Sequence, residues 1–210
     1  MYGFTQLAPQ EFVAQRPFTH PDHAVADHAV LRCMITELRR NLAMAAPGRS
    51  TSHFIPEESH WQRRLVYNRP DFPWQSLKLA IVGFFGSRRP VVSEESDAAI
   101  FDVGRELMAL VAKFPQVIAY STRLLACELN YANVVLLDCP ESIDKWREQA
   151  QHLRAAVDLS PDYYQTVRIY RGELPAGGFM NPERLVLNSC KYWDFRSDPL
   201  WCAQRQIVME

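Results

Sequence analysis

The chain has 210 residues, 48% of them hydrophobic, with 11 Phe, 8 Tyr, 5 Trp and a formal net charge of −1. That length holds one large domain, or one domain with an extension, and buries roughly 70% of its unfolded surface. The near-neutral balance excludes the basic footprint of a nucleic-acid binder, since Arg39-Arg40, Arg63-Arg64 and Arg88-Arg89 lie too far apart to form one block.

The first ten residues, MYGFTQLAPQ, lack a basic stretch followed by an apolar core, so no secretory signal is expected. No apolar run is long enough to span a bilayer, and no membrane partner is expected. The five cysteines show no C-x-x-C spacing. Reduced thiols and a cytoplasmic location are the expectation.

Residues 1–20 are polar with two prolines and should wrap the surface or a partner subunit. From Pro21 to Ala46 the pattern is helical, with Leu31, Ile35, Leu38 and Leu42 on one stripe, until Pro47-Gly48 stops it. His28 lies about 50° from that stripe and should be partly buried, where a modest change of surroundings tunes an imidazole for acid–base work. His20-Pro21-Asp22-His23 has metal-ligand residue types, but no regular spacing or second cluster, and no metal is expected. Residues 47–60 read as a polar loop carrying His53 and His60. Residues 61–76 (WQRRLVYNRPDFPWQS) read as an extended aromatic arm.

The stretch from Leu77 to Arg171 carries the clearest pattern. A strand (LKLAIVGFF) is followed by a helix opened by Ser93-Glu94-Glu95-Ser96-Asp97, whose acids suit the positive helix end. Its buried stripe is Ile100, Val103, Leu107, Leu110 or Val111, and Phe114. Two strands follow (VIAYST, ANVVLL), then a second helix from Ser142 with the stripe Ile143, Trp146, Ala150, Leu153 and Val157. The last strand, Thr166 to Arg171, puts Thr166, Arg168 and Tyr170 on one face. On a regular helix His152 falls about 130° from the stripe, facing away from the sheet. This order is the ferredoxin-like βαββαβ arrangement, an α+β fold. Residues 1–76 then form a helix and arm packed on a core of residues 77–210. A further strand, RLVLNSCKYWDF, places Asn188, Cys190, Tyr192 and Asp194 on one face that could reach a ligand. There is no G-x-S-x-G, P-loop or G-x-G-x-x-G.

With that element order, and Trp146 and His152 in KWREQAQH followed by SPDYY and TVRIY, the central region resembles the dimeric α+β barrel superfamily. That group includes antibiotic-biosynthesis-type monooxygenases, haem-degrading enzymes and haem-containing aldoxime dehydratases. The resemblance implies a homodimer pairing its sheets into a barrel, with a cavity for a small hydrophobic, aromatic or polyketide-like metabolite. It implies either no cofactor or haem. In the cofactor-free form His28 or His152 would be the base, Arg168 the anion partner, and Trp146, Tyr163, Tyr164 and Tyr192 the substrate-binding walls. Three readings stay open: a monooxygenase-like enzyme, a haem enzyme of the same fold, and a non-catalytic binding or assembly protein whose exposed aromatic arm docks a partner.

Overall fold

Strand β4 (Leu79–Arg88) organises the molecule, because its two faces meet different neighbours. A computed structural model describes residues 3–56, 62–125 and 130–208; His60, Trp61 and Cys127 lie outside them. Among the described residues nine strands form one sheet, in the order β1-β9-β8-β7-β4-β6-β5-β3-β2. They are β1 (Thr5–Leu7), β2 (Thr51–Pro56), β3 (Gln62–Tyr67), β4, β5 (Val117–Leu124), β6 (Asn130–Leu137), β7 (Tyr164–Leu174), β8 (Val186–Asp194) and β9 (Trp201–Gln206). All neighbours are antiparallel except β1 and β9.

The centre of the sheet, β7-β4-β6-β5, carries helix α2 (Glu94–Val111) between β4 and β5 and a helical segment between β6 and β7. This is the strand–helix–strand–strand–helix–strand order of a ferredoxin-like unit. Ser93 caps α2 by accepting a hydrogen bond from the Ser96 amide at 3.1 Å. The second helical segment is not one helix. It comprises α3 (Glu141–Arg147), α4 (Ala150–Leu153), a π-helical turn (Arg154–Leu159) and α5 (Ser160–Tyr163). Gln149 adopts an extended conformation (ψ 135°) and breaks it. The expected stripe therefore holds only at Ile143 and Trp146, which are buried; Leu153 and Val157 are exposed.

Alternation along β4 sends Ile81, Gly83 and Phe85 to one face and Ala80, Val82 and Phe84 to the other. Helix α1 (Asp22–Asn41) covers the first face with Leu31, Met34, Ile35 and Leu38, all fully buried. Gly83 lets it come close: a Cβ there would lie 2.7 Å from Leu31 Cδ1. This is the face expected to pair with a second subunit, and the chain's own helix occupies it. α2 and α3 cover the other face, where Val111, Ile143 and Trp146 pack with Ala80, Val135 and Leu137.

The flanks differ from expectation. The region 47–60 contains strand β2, paired with β3, instead of a loop alone. The arm is not an exposed patch: it supplies β3, and Tyr67, Phe72 and Trp74 are buried within this chain, Trp74 stacking on Phe179 at 3.9 Å. Residues 3–20 wrap their own chain. Buried Arg205 donates to the carbonyls of Pro9, Glu11 and Thr19 (3.1, 2.6 and 2.5 Å), fastening that segment beside β9. No described helix is long and apolar enough to cross a membrane.

Candidate functional site

The sheet separates the side chains that the sequence singles out. His28, Arg168 and Tyr192 lie on the α1 face; Trp146, His152, Tyr163 and Tyr164 belong to the opposite one. No single cavity can hold both sets.

The α1 face is packed shut. Arg168 forms a bidentate pair with Asp27 of α1, Nε to Oδ2 at 2.7 Å and Nη2 to Oδ1 at 3.0 Å. Burial opposes its charge, but the hydrogen bonds and charge of Asp27 more than offset this and raise its pKa overall. Its fork is thus spent inside the chain, neither on a ligand oxygen nor on a partner subunit. His28 Nε2–H donates to the Leu185 carbonyl at 2.9 Å, tying α1 to the loop before β8. Tyr192 is buried with its ring edge towards Phe18. Burial pushes the Cys190 thiol up to about 12, so it stays protonated and unreactive, and Lys191 points to the other face. His20 and Asp22 contact each other at 3.4 Å, and no group of three metal-ligating side chains occurs among the described residues.

The opposite face behaves differently. At the β4 start it is sealed by Ala80, Val135, Leu137, Val111 and Trp146. Further along, Val82, Phe84, Tyr120, Asn133, Tyr164 and Ile169 keep partial solvent contact. These positions lie mid-sheet under a helical layer, while their strand neighbours Ile81, Phe85, Ala132 and Val134 are buried. The helical layer thus covers these positions incompletely, although Val82 and Tyr120 still pack against the core on the α2 side. They outline a candidate cleft over four strands.

Register sets the floor. Ile169, Phe84, Asn133 and Thr122 form one row across β7, β4, β6 and β5, and Val82, Val135 and Tyr120 form the next. The Tyr164 ring lies over Gly86, where a Cβ would meet its Cε1 at 2.4 Å, and edge-on to Phe84 at 5.4 Å. Only glycine leaves room for that ring. Buried Tyr163 donates to the Tyr131 hydroxyl at 3.2 Å, and the Arg88 guanidinium, paired with Asp97, stacks over the Tyr163 ring. Burial holds the phenols of Tyr120, Tyr131 and Tyr164 protonated, with pKa values raised well above 10.

One polar atom on this side is buried without a protein partner among the described residues. His152 packs beside Trp146, ring centroids 6.0 Å apart, and its Nδ1 is buried without a hydrogen bond. Burial, then the charge of Arg147, lowers its pKa from 6.5 to about 4, so it is neutral at pH 7. The break at Gln149 brings it inward, where a regular helix would turn it to solvent. The Asn133 amide, at the middle of β6, is partly exposed and on the same face. Sequence reading passes over it, although a lone amide within YANVVLL is a signal, since Asn is poorly suited to a strand centre. For the buried His152 nitrogen, staying unpaired costs about 1–3 kcal/mol.

The neutral His152 fixes a pH dependence. The folded state resists its proton, so the unfolded chain binds more protons between pH 6.5 and about 4. The associated stability is complete above pH 6.5 and is lost as pH falls through about 4. Nuclear magnetic resonance titration of the His152 ring should give a midpoint near 4; a midpoint near 6.5 would place the ring in water.

No family model matches this chain, and no curated protein sequence is similar to it. Two solved structures share partial likeness. One is a conserved protein of unknown function, a possible oxidoreductase, from Bacteroides thetaiotaomicron: 15% identity, TM-score 0.36, covering 47% of this chain and 98% of its own. The other is a dimeric ferredoxin-like protein of unknown function from Thermobifida fusca: 16% identity, TM-score 0.35, covering 46% of this chain and 91% of its own.

Proposed function

We propose that this chain is a monooxygenase-like enzyme that takes a small, planar, aromatic or polyketide-like metabolite into the cleft between the sheet and its helices. The observation that carries this reading is the partly exposed row Phe84, Asn133 and Ile169 at the sheet centre, beside a sealed end built from Ala80, Val135, Leu137 and Trp146. Rings on the floor and wall suit a flat apolar ligand, and a few polar atoms suit its orientation. Trp146 and Tyr163, both buried, shape the cleft from behind.

In this reading neutral His152 accepts a proton from an activated methylene beside a carbonyl, and the resulting enolate gives electrons to dioxygen. One oxygen atom becomes the new carbonyl of the product. The other leaves as water with the two hydrogens of the methylene, so no external reductant enters the balance. Phenol hydroxyls stabilise the anion in the role first expected of Arg168, which the sheet keeps from the cleft. The thiols Cys33, Cys139, Cys190 and Cys202 are unpaired, in keeping with a cytoplasmic setting.

The haem variant fits these residues poorly. An axial imidazole is ordinarily oriented by a hydrogen bond through its second ring nitrogen. His152 makes no hydrogen bond to any described residue, and its Nδ1 is sealed in. Adding haem to the purified protein should give no shifted Soret band; a band that moves on reduction would restore the haem reading. The binding-module reading loses its main support with the burial of Tyr67, Phe72 and Trp74. A homodimer through the α1-covered face would first require that helix to leave.

The test is oxygen uptake with neutral hydroxylated polyaromatics and no added reductant. One dioxygen should be consumed per substrate, and His152→Phe should lower kcat by about a hundredfold or more, the usual range for a lost general base. Absence of both uptake and binding across such compounds would sink the proposal.

A further inference from the structure

We propose, on the footing that the cleft is the ligand site, that Lys191 anchors an acidic group on the ligand, so that planar aromatic acids bind in preference to their uncharged parents. Position comes first. Register runs one row across the sheet face, from Lys191 on β8 through Ile169, Phe84 and Asn133 to Thr122. Neighbouring strands lie about 4.8 Å apart, so Lys191 stands roughly 5 Å from Ile169 and roughly 10 Å from Phe84 along that row. A ring resting on Ile169 and Phe84 therefore carries any substituent on its β8 edge within reach of the ammonium. Arg64, the cation at the far end of the row on β3, lies beyond Thr122 and has an interaction of its own.

The second observation is an excess of positive charge. Among the described residues Lys191 has no carboxylate partner; its contact is the Phe4 ring, whose centroid lies 4.8 Å from Nζ. Arg171, diagonal to it on β7, and Arg147 on α3 share one carboxylate, Asp144, at 2.9 and 3.5 Å. Three cations thus gather around a single anion. Partial burial, then the charges of Arg171 and Arg147, lower the Lys191 pKa, and the opposing pull of Asp144 is the weakest influence on it. Like charges held together in a partly dehydrated place cost free energy that an added anion relieves. The third observation is apolar surface beside the charge. Phe4 lies edge-on to Trp193 at 5.5 Å on one flank of Lys191, and Ile169 lies on the other. Such a frame suits an acid borne on a ring better than a free inorganic anion, because the ring gains from burial.

The experiment titrates the full chain at neutral pH with three probes: a hydroxynaphthoate, the corresponding naphthol without the acid, and inorganic phosphate. Thermal unfolding of each variant is measured alongside. Wild type should bind the hydroxynaphthoate about tenfold more tightly than the naphthol, the worth of one charge-assisted contact. High salt should shrink that margin. Lys191→Met should bring the acid down to the level of the naphthol, with Tm level or higher because repulsion from Arg171 and Arg147 is relieved. Lys191→Arg should keep most of the margin. Equal binding of acid and naphthol by wild type, or a margin that survives in Lys191→Met, would overturn the assignment to Lys191. Phosphate binding as tight as that of the hydroxynaphthoate would overturn the aromatic-acid class. If wild type binds neither aromatic probe, the cleft reading itself falls, so the two failures are distinguishable.

Discussion

Replacing Asp27 with alanine should lower the thermal unfolding midpoint by roughly 10 °C while leaving cleft binding intact below that temperature. The Arg168 and Asp27 side chains are 15% and 7% exposed and satisfy each other in a two-pronged geometry. Removing one partner strands a charge in a poorly hydrated layer, at a cost of about 3–5 kcal/mol. For a chain of this size each kcal/mol moves the midpoint by about 2–4 °C. The control is the double variant Asp27→Leu with Arg168→Met, which removes both charges and should recover most of the loss. A single variant as stable as wild type would mean that water reaches the pair. Weakened binding of cleft ligands at low temperature would instead return Arg168 to the site. The pair also has a positional role, since α1 can satisfy both charges in only one register on β7.

How much of this was legible in the sequence depends on the range of the interaction. The unit from β4 to β7 could be read because period-two and helical patterns are local, and Ser93 marks its helix start through side chains within three residues. The α1 stripe of Leu31, Ile35 and Leu38 was equally visible, but not its destination. Which face a helix covers depends on contacts such as Arg168 to Asp27, 141 positions apart. β9 was missed because its buried positions include Cys202, Ala203 and Arg205, an unusual set for a core-facing strand, made workable by the three carbonyls around Arg205.

For the site, the candidates were partly visible and their grouping was not. His152 could be named, yet its direction could not be calculated, because nothing in REQAQH announces the extended Gln149 that breaks the helix. Arg168 carried the right chemistry for an anion partner on a polar strand face. Only the identity of the element covering that face decides whether its fork is free.

Gly83→Val should force α1 away from the sheet and change the oligomeric state of the chain. A Cβ at that position would lie 2.7 and 3.0 Å from the Leu31 methyl carbons, and Leu31 is fully buried with no slack around it. Overpacking of this kind costs about 1–3 kcal/mol, and a branched side chain on a central strand has nowhere else to go. If α1 yields, Ile81, Phe85, Val134 and Leu136 lose their cover, and a bare apolar sheet face of that extent seeks another surface. Sedimentation should then show dimers or larger species that wild type does not form through this face. Combining Gly83→Ala with Leu31→Ala should restore the wild-type sedimentation behaviour by making room for the extra carbon. The same Gly83→Val variant with unchanged sedimentation and Tm would mean that α1 rides loosely on the sheet. The face would then be available to a second copy, and barrel-type pairing would again be open to the native chain. If instead association increases while the cleft still binds its ligand, the two faces act independently, one closed in cis by α1 and the other kept open for chemistry.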